Sequence, residues 1–105
     1  MGDSIRPADL EERIRRGTAP PVIDVRRAAD FDADDGMIPG ALRDEPALEP
    51  GAAVVVYCAR GGSVSRGAAE ALRARGLDAR FLEGGIAAWR DAGFGTTPKP
   101  ARRIP

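Results

Sequence analysis

The sequence predicts a single α/β domain with a parallel sheet, and three observations lead to that prediction. Short β-branched apolar runs alternate along the chain with segments whose apolar residues have helical spacing. Each helical segment is long enough for the right-handed crossover that joins neighbouring parallel strands. A chain of 105 residues has room for one hydrophobic core and for no second one.

The first quarter of the chain predicts a strand, a helix and a second strand. A short extended segment at Ile5 enters a helix in which Pro7 suits the first position, where a missing N–H costs nothing. Gly17 ends this helix after a basic last turn. Beyond two prolines, Val22–Val25 is a short β-branched run of the kind that forms a buried strand.

The segment that follows is rich in aspartate and predicts one helical turn rather than a metal site. We expect Phe31 to anchor this turn in the core. The acidic cluster consists of Asp30, Asp32, Asp34 and Asp35. It lacks the glycine and the final glutamate of a calcium-binding loop, so calcium is not predicted here. Met37–Leu42 then predicts a Pro-Gly turn and a short extended piece.

The second half of the chain shows the same alternation more clearly. Its predicted elements are a strand at Ala53–Tyr57, a helix beginning near Ser63 to Ser65 and capped by Gly76, a strand at Ala79–Leu82, and a short helix from Ile86 that stops at Gly93. The first of these strands is apolar on both faces, which predicts a central position in the sheet. The proline-rich residues 95–105 are expected to form an extended or loose tail.

Composition limits the classes of function. Sixteen basic and sixteen acidic residues give a net charge of zero, which does not favour nucleic acid or an anionic membrane as a partner. No apolar run approaches a membrane span, and the N-terminus lacks the apolar region of a secretory signal. A single cysteine cannot form an internal disulfide, so we expect a reducing, cytoplasmic location. The absence of histidine excludes Ser-His-Asp and Cys-His catalysis and the usual zinc sites.

The lone cysteine, Cys58, stands where a strand gives way to a glycine-bearing loop and a helix. Gly61 and Gly62 allow positive φ values, so that successive N–H groups can point inward and bind an anion. Ser63 or Ser65 can cap the helix that follows. A helix N-terminus favours the thiolate form, which predicts a nucleophilic cysteine. The alternative is an inert cysteine buried at the end of a core strand.

Charged residues accompany both strand ends. Arg60 and Arg66 are the cations nearest to the cysteine in the sequence, and we expect them to favour its thiolate. At the end of the earlier strand, Asp24 and Arg26 stand where ligands gather in open α/β sheets. A structural ion pair, or a pair of turn contacts, is the alternative interpretation of these two residues.

Four blocks of sequence, in order, resemble a single-domain rhodanese. They are Val22–Arg26, Ile38–Ala41, Val55–Cys58 with its loop, and Leu82–Trp89 followed by Gly93. The resemblance covers nearly the whole chain, from about Ile5 to Phe94. It implies a single rhodanese-like domain over 1–105, with its core at about 5–94 and a tail at 95–105. The fold it implies is a central parallel sheet of about five strands flanked by helices.

The same resemblance implies the chemistry. Rhodaneses transfer sulfane sulfur from a small anionic donor such as thiosulfate to cyanide or a thiol, through a persulfide on cysteine. Cys58 would carry that persulfide, and the backbone N–H groups of Arg60 to Val64 would cradle it. The residues expected to bind substrate are Ala59, Arg60, Gly61, Gly62, Ser63 and Val64. The resemblance implies no cofactor and no metal ion.

The chain departs from the family pattern at two places. Met37 stands where the family usually has histidine. The loop after Cys58 is one residue longer than the common rhodanese loop, a feature of relatives that handle larger oxyanions, such as phosphatases and arsenate reductases. Those phosphatases close the loop with an arginine, where Val64 stands here. An oxyanion-handling enzyme and a non-catalytic module that binds a partner are therefore the alternatives. With no second cysteine, a sulfurtransferase would need an outside acceptor.

Overall fold

The computed structural model describes residues 3–99, in which short strands alternate with helices. The strands are β1 (Ser4–Ile5), β2 (Val22–Asp24), β3 (Gly36–Met37), β4 (Ala53–Tyr57), β5 (Asp78–Leu82) and β6 (Thr97–Pro98). The helices are α1 (Pro7–Arg16), α2 (Ala28–Asp32), α3 (Ser63–Ala74) and α4 (Gly85–Asp91). This alternation confirms the predicted α/β class. None of the helices in this part of the chain is long and apolar enough to cross a membrane.

The central sheet is parallel and has the strand order β1-β5-β4-β2. Strand β4 pairs on both sides, which confirms the central position that its apolar sequence predicted. Within residues 3–99 this parallel sheet has four strands, one fewer than the expected number of about five. In place of a fifth strand, Leu42 forms a single parallel bridge with Ile23. The chain bends at residues 43–44, directly after this bridge, and therefore does not continue to pair with β2.

Two apolar clusters pack on opposite faces of the sheet, because the side chains of β4 alternate between the faces. One face carries Val55 and is covered by α1 and α4. The other face carries Val54 and Val56 and is covered by α3. From Val54 to Cys58 no residue is more than 5% exposed, so the buried centre of the sheet continues directly into the thiol.

The predicted helix ends are confirmed where glycine or proline marks them. Pro7 opens α1, and Gly17 follows its last residue at φ 72°, in the left-handed region that favours glycine. Gly76 and Gly93 follow α3 and α4 with φ values of 88° and 87°. Local chain chemistry alone therefore determines where these helices stop.

Phe31 does not anchor the core, and the expectation that it does is wrong. Helix α2 has only five residues and buries none of them. The Phe31 ring is half-buried beneath cations instead. Its centroid is 4.2 Å from the guanidinium carbon of Arg43, 4.3 Å from Lys99 Nζ and 5.4 Å from the guanidinium carbon of Arg26. Cation–π contacts thus take the place of apolar packing.

The beginning of the proline-rich C-terminal segment is fixed to the domain. Strand β6 pairs antiparallel with β3 to form a second, two-stranded sheet. The N–H group of Lys99 then donates to the carbonyl of Asp35 at 2.9 Å. These contacts lie after Phe94, where the core was expected to end. The remainder of the predicted tail, 100–105, lies outside the described residues.

Candidate active site

Cys58 lies at the carboxyl end of β4, where a short loop leads into α3. The residue that caps α3 is Gly62, and among residues 3–99 no side chain accepts a hydrogen bond from the end of the helix. The expectation that Ser63 or Ser65 caps the helix is therefore wrong. Ser65 lies inside the first turn and is fully buried. Its Oγ atom is 3.1 Å from the sulfur and 3.5 Å from the carbonyl oxygen of Gly62.

The sulfur of Cys58 lies in a ring of hydrogen-bond donors. Its Sγ atom is 3.1 Å from Oγ of Ser65. The backbone N–H groups of Ser65, Arg60 and Gly62 also donate to the sulfur. Two of these three amides fall within the Arg60–Val64 stretch that the family resemblance implied, and the third belongs to Ser65. From the sequence, Ser65 was considered only as a helix cap. Its place one helical turn after the loop was the signal that could have predicted its hydrogen bond to the sulfur.

These donors favour the thiolate form of Cys58. Burial by itself raises the pKa of the thiol, because it removes water from the charged form. The hydrogen bonds from the Ser65 hydroxyl and from the three backbone amides outweigh burial, so that the pKa lies below its ordinary value. Since the thiolate is the nucleophilic form, this environment favours a reactive cysteine over an inert core thiol.

The N-terminal turn of α4 holds the loop from behind. The N–H group of Ile86 donates to the Cys58 carbonyl at 3.0 Å, and the next N–H group donates to the next carbonyl at the same distance. Gly61, at φ 71°, approaches so closely that a Cβ atom there would lie 2.5 Å from the nitrogen of Gly84. A Cβ atom on Gly85 would collide with the Cys58 carbonyl oxygen. Backbone packing therefore requires glycine on both sides of this contact.

A cavity of about 260 Å³ lies over the sulfur. Its lining residues are Arg27, Asp30, Cys58, Ala59, Arg60, Gly62, Ser63 and Val64. Five of the six residues predicted to bind substrate are therefore brought together, whereas Gly61 is buried against the start of α4. Arg27 and Asp30 come from the start of α2 and were not assigned to the site from the sequence. No local pattern shows that this distant turn borders the cysteine loop.

Arg27 and Arg60 border the cavity, whereas Arg66, which was expected to favour the thiolate, does not. Arg27 and Arg60 are exposed and form no ion pair within residues 3–99. Arg66 lies behind the loop, where its Nε donates to the Gly61 carbonyl at 3.3 Å. Its guanidinium carbon is 4.9 Å from the ring centroid of Phe81. Arg66 therefore holds the loop in place and does not line the cavity.

Asp24 and Arg26 form a buried ion pair, which confirms the structural interpretation of these residues. Their closest side-chain atoms are 2.7 Å apart, and neither side chain is more than 1% exposed. The Tyr57 hydroxyl donates to the Asp24 carboxylate at 2.8 Å and accepts the N–H group of Ile38 at 3.2 Å. Burial, and then the Asp24 charge, raise the pKa of Tyr57, so this hydroxyl stays protonated.

One residue of the acidic cluster, Asp34, has a structural role because it pairs with two arginines. Asp34 accepts hydrogen bonds from Arg26 Nη1 at 3.0 Å and from Arg90 Nη2 at 2.8 Å. The Arg90 hydrogen bond holds the pKa of Asp34 well below its usual range, although burial opposes this effect. Among residues 3–99, no three or more Asp, Glu, His or Cys side chains are grouped so that they could hold a metal ion.

The fold and the position of the cysteine agree with one protein family. The profile of the rhodanese-like domain family matches residues 42–92. The solved structure of a rhodanese-related protein from Thermoplasma volcanium is 31% identical, with a TM-score of 0.72; the match covers 90% of this chain and 96% of that one. The chain therefore belongs to the rhodanese-like domain family.

Two further solved structures are similar to the chain. A rhodanese-like domain protein from Staphylococcus aureus is 28% identical, with a TM-score of 0.70, over 92% of this chain and 98% of that one. A Rhodopseudomonas palustris protein, described as a protein of unknown function and possible tyrosine phosphatase, is 25% identical. Its TM-score is 0.69, over 90% of this chain and 83% of that one. No curated protein matches the chain.

Proposed function

We propose that the protein is a sulfurtransferase that moves sulfane sulfur through a persulfide on Cys58. The observation that carries this proposal is the ring of donors around Sγ, formed by the Ser65 hydroxyl at 3.1 Å and three backbone amides. Fixed donors of this kind stabilise a thiolate before the reaction and an anionic persulfide after it. An inert core thiol, and equally a non-catalytic binding module, would need no such stabilisation.

The first half-reaction takes sulfur from a small anionic donor such as thiosulfate. Arg27 and Arg60 border the cavity and attract the sulfonate group of the donor. The Cys58 thiolate attacks the outer sulfur of thiosulfate, so that a bond forms between Sγ and that sulfur. The sulfur–sulfur bond of the donor breaks, and sulfite leaves with the electron pair. Sulfite is a stable anion and needs no general acid, which suits a chain without histidine.

The second half-reaction gives the sulfur to an outside acceptor, either cyanide or a thiol. The acceptor attacks the outer sulfur of the persulfide, and Cys58 leaves as a thiolate. Because the chain contains one cysteine, an internal disulfide cannot release the sulfur. A reducing compartment such as the cytoplasm keeps both thiols reduced and therefore suits this cycle. The cycle requires no cofactor and no metal ion.

Although one similar structure is described as a possible tyrosine phosphatase, this chain lacks the loop arginine that phosphatase chemistry needs. A transferred phosphoryl group is gripped by a guanidinium that bonds two of its oxygens. Val64 stands where phosphatase loops of this superfamily carry arginine. The next arginine, Arg66, is bonded to the Gly61 carbonyl behind the loop. Sulfur transfer is therefore favoured over phosphate-ester hydrolysis or arsenate reduction.

Mass spectrometry of the protein before and after thiosulfate treatment tests the proposal. We expect the peptide that contains Cys58 to gain the mass of one sulfur atom and to lose it when cyanide is added. The Cys58→Ser variant should show neither the mass gain nor thiocyanate formation. Full thiosulfate:cyanide activity in that variant would show that the proposed mechanism is wrong.

A further inference from the structure

Helix α2 and the residue before it border the cysteine cavity, although no buried side chain anchors this helix in the core. Arg27 precedes the first turn, and both Arg27 and Asp30 line the cavity over Cys58. None of the residues of α2 is buried, and within residues 3–99 no side chain caps its start. The place of Arg27 beside the sulfur therefore depends on contacts other than core packing.

The half-buried ring of Phe31 provides contacts of another kind. Its centroid lies 4.2 Å from the guanidinium carbon of Arg43, 4.3 Å from Lys99 Nζ and 5.4 Å from the guanidinium carbon of Arg26. A cation over an aromatic face is attracted by the quadrupole of the ring. Lys99 Nζ also donates to the Phe31 carbonyl at 2.6 Å. Both the side chain and the backbone of this residue are therefore held.

The rest of the domain fixes each of these three cations. Arg26 is buried in its ion pair with Asp24. Arg43 Nη1 donates to the carbonyls of Asp24 and Arg26 at 3.0 and 2.8 Å. Lys99 follows β6, and its N–H group donates to the carbonyl of Asp35 at 2.9 Å. The ring therefore packs against charges whose positions are set by the central sheet and by β6, and not by α2 itself.

Phe31 is joined directly to Arg27 through the backbone. The two residues stand one helical turn apart, and the N–H group of Phe31 donates to the carbonyl of Arg27 at 2.9 Å. The Arg27 side chain is exposed and forms no ion pair within residues 3–99. The backbone of this turn therefore sets where the guanidinium lies, and a displaced Phe31 would move it relative to the cavity.

We propose that Phe31 is a positioning residue for the anionic sulfur donor, and that it acts through Arg27. The inference rests on the proposed sulfurtransferase function, because it concerns the donor that Arg27 attracts. Arg26, Arg43 and Lys99 hold the ring, and the ring holds the turn that carries Arg27. Phe31 does not line the cavity over the sulfur. It therefore affects the binding of the donor and leaves the chemistry at the sulfur unchanged.

Kinetics of the Phe31→Leu variant test this proposal. Leucine keeps the apolar bulk but has no aromatic face for the cations. We expect the KM for thiosulfate to rise about threefold, as for a partly exposed charge that loses its place. The kcat and the rate of Cys58 alkylation by iodoacetamide should change by less than about twofold, because the donors to Sγ belong to Arg60, Gly62 and Ser65. Phe31→Tyr keeps the ring and should retain the wild-type KM.

A double-mutant cycle shows whether the effect passes through Arg27. In the Arg27→Gln background, Phe31→Leu should change the KM for thiosulfate by less than about 1.5-fold, because the charge that the ring positions is gone. The matched control is Phe94→Leu, in which a half-buried ring packs on Trp89 at a centroid distance of 5.1 Å. It should leave the KM unchanged in both backgrounds. Lys99→Met removes one of the three cations and should give a smaller rise than Phe31→Leu.

The outcomes separate this inference from the function on which it rests. An unchanged thiosulfate KM in folded Phe31→Leu, or equal rises with and without Arg27→Gln, would overturn the positioning role and leave sulfur transfer through Cys58 intact. Circular dichroism reports whether the variant folds; if it does not, the same cycle with Lys99→Met decides, and an unchanged KM there overturns the role equally. Failure of the wild-type protein to form a persulfide would instead overturn the sulfurtransferase function, and the role of Phe31 with it.

Discussion

The side-chain oxygen of Ser65 lies 3.1 Å from the sulfur of Cys58, although the two residues belong to different elements. Cys58 follows the central strand and Ser65 lies in the first turn of α3, so the loop between them closes a ring around the thiol. Both residues are buried. The other donors that lower the pKa of this thiol are backbone amides, whereas Ser65 also donates through its side chain. A point mutation can therefore remove the Ser65 hydroxyl alone.

Replacement of Ser65 by alanine should make Cys58 less reactive at neutral pH. Loss of the hydroxyl removes a hydrogen bond to the thiolate, so the pKa of Cys58 rises and a smaller fraction of the protein is nucleophilic. The rate of alkylation by iodoacetamide at pH 7 should fall by about tenfold, the scale of one hydrogen bond to a charged group. The matched control is Ser4→Ala, whose hydroxyl bonds to Glu83 on the surface. Identical pH profiles for both variants would contradict the role of Ser65.

Replacement of Arg27 by glutamine should weaken the binding of the anionic donor. Arg27 borders the cavity over Cys58 and has no ion-pair partner within residues 3–99, so its charge is available to a ligand. The KM for thiosulfate should rise about threefold to tenfold at low salt, and the difference from wild type should shrink as ionic strength increases. Arg13→Gln on α1 removes an equal charge away from this cavity. A similar rise of KM in that control would show that only net charge matters.

Replacement of Gly61 by alanine should destabilise the protein more than the same change at Gly17. Both glycines have a positive φ, 71° and 72°, so both variants bear the same backbone strain, about 1–2 kcal/mol. A Cβ atom at Gly17 meets nothing within 4 Å, whereas at Gly61 it meets the backbone of Gly84. Urea unfolding should therefore show a larger loss of free energy for Gly61→Ala, together with slower persulfide formation. Equal losses would show that the contact with Gly84 relaxes freely.

Replacement of Asp34 by asparagine should lower the free energy of unfolding at neutral pH by about 1–3 kcal/mol, because hydrogen bonds from Arg90 and Arg26 to a charged carboxylate are lost. The Arg90 hydrogen bond depresses the pKa of Asp34 in the folded state. The stabilisation is therefore fully present above the unfolded pKa, about 4, and is lost as the pH falls toward the lower folded value.

Urea unfolding at pH 7 and at pH 3 measures this dependence on Asp34. The difference between wild type and Asp34→Asn should be smaller at pH 3. The exposed Asp32, which forms no ion pair within residues 3–99, serves as the control in Asp32→Asn. A difference between wild type and Asp34→Asn that is the same at both pH values would mean that the charge of Asp34 adds nothing to stability.

The elements of this fold were predictable where a single local signal decided them. The β-branched run of β4 and the left-handed glycines after α1, α3 and α4 act through nearest-neighbour geometry, which the sequence shows directly. The errors arose where distant packing decided the outcome. Phe31 meets cations from Arg26, Arg43 and Lys99 rather than an apolar core. The expected fifth strand does not form, and a single bridge at Leu42 stands in its place because the chain bends directly after it.

By itself, the sequence determined that this is an α/β domain with one candidate nucleophile, because the strand, the loop glycines and the lone Cys58 are contiguous. Only the tertiary structure decided what surrounds the sulfur. It turned Ser65 from a helix cap into a donor, placed Arg66 behind the loop, and brought Arg27 from a distant turn to the cavity. The physical reason is that thiolate stability depends on donors and charges within a few ångströms in space, and sequence spacing does not record which side chains converge there.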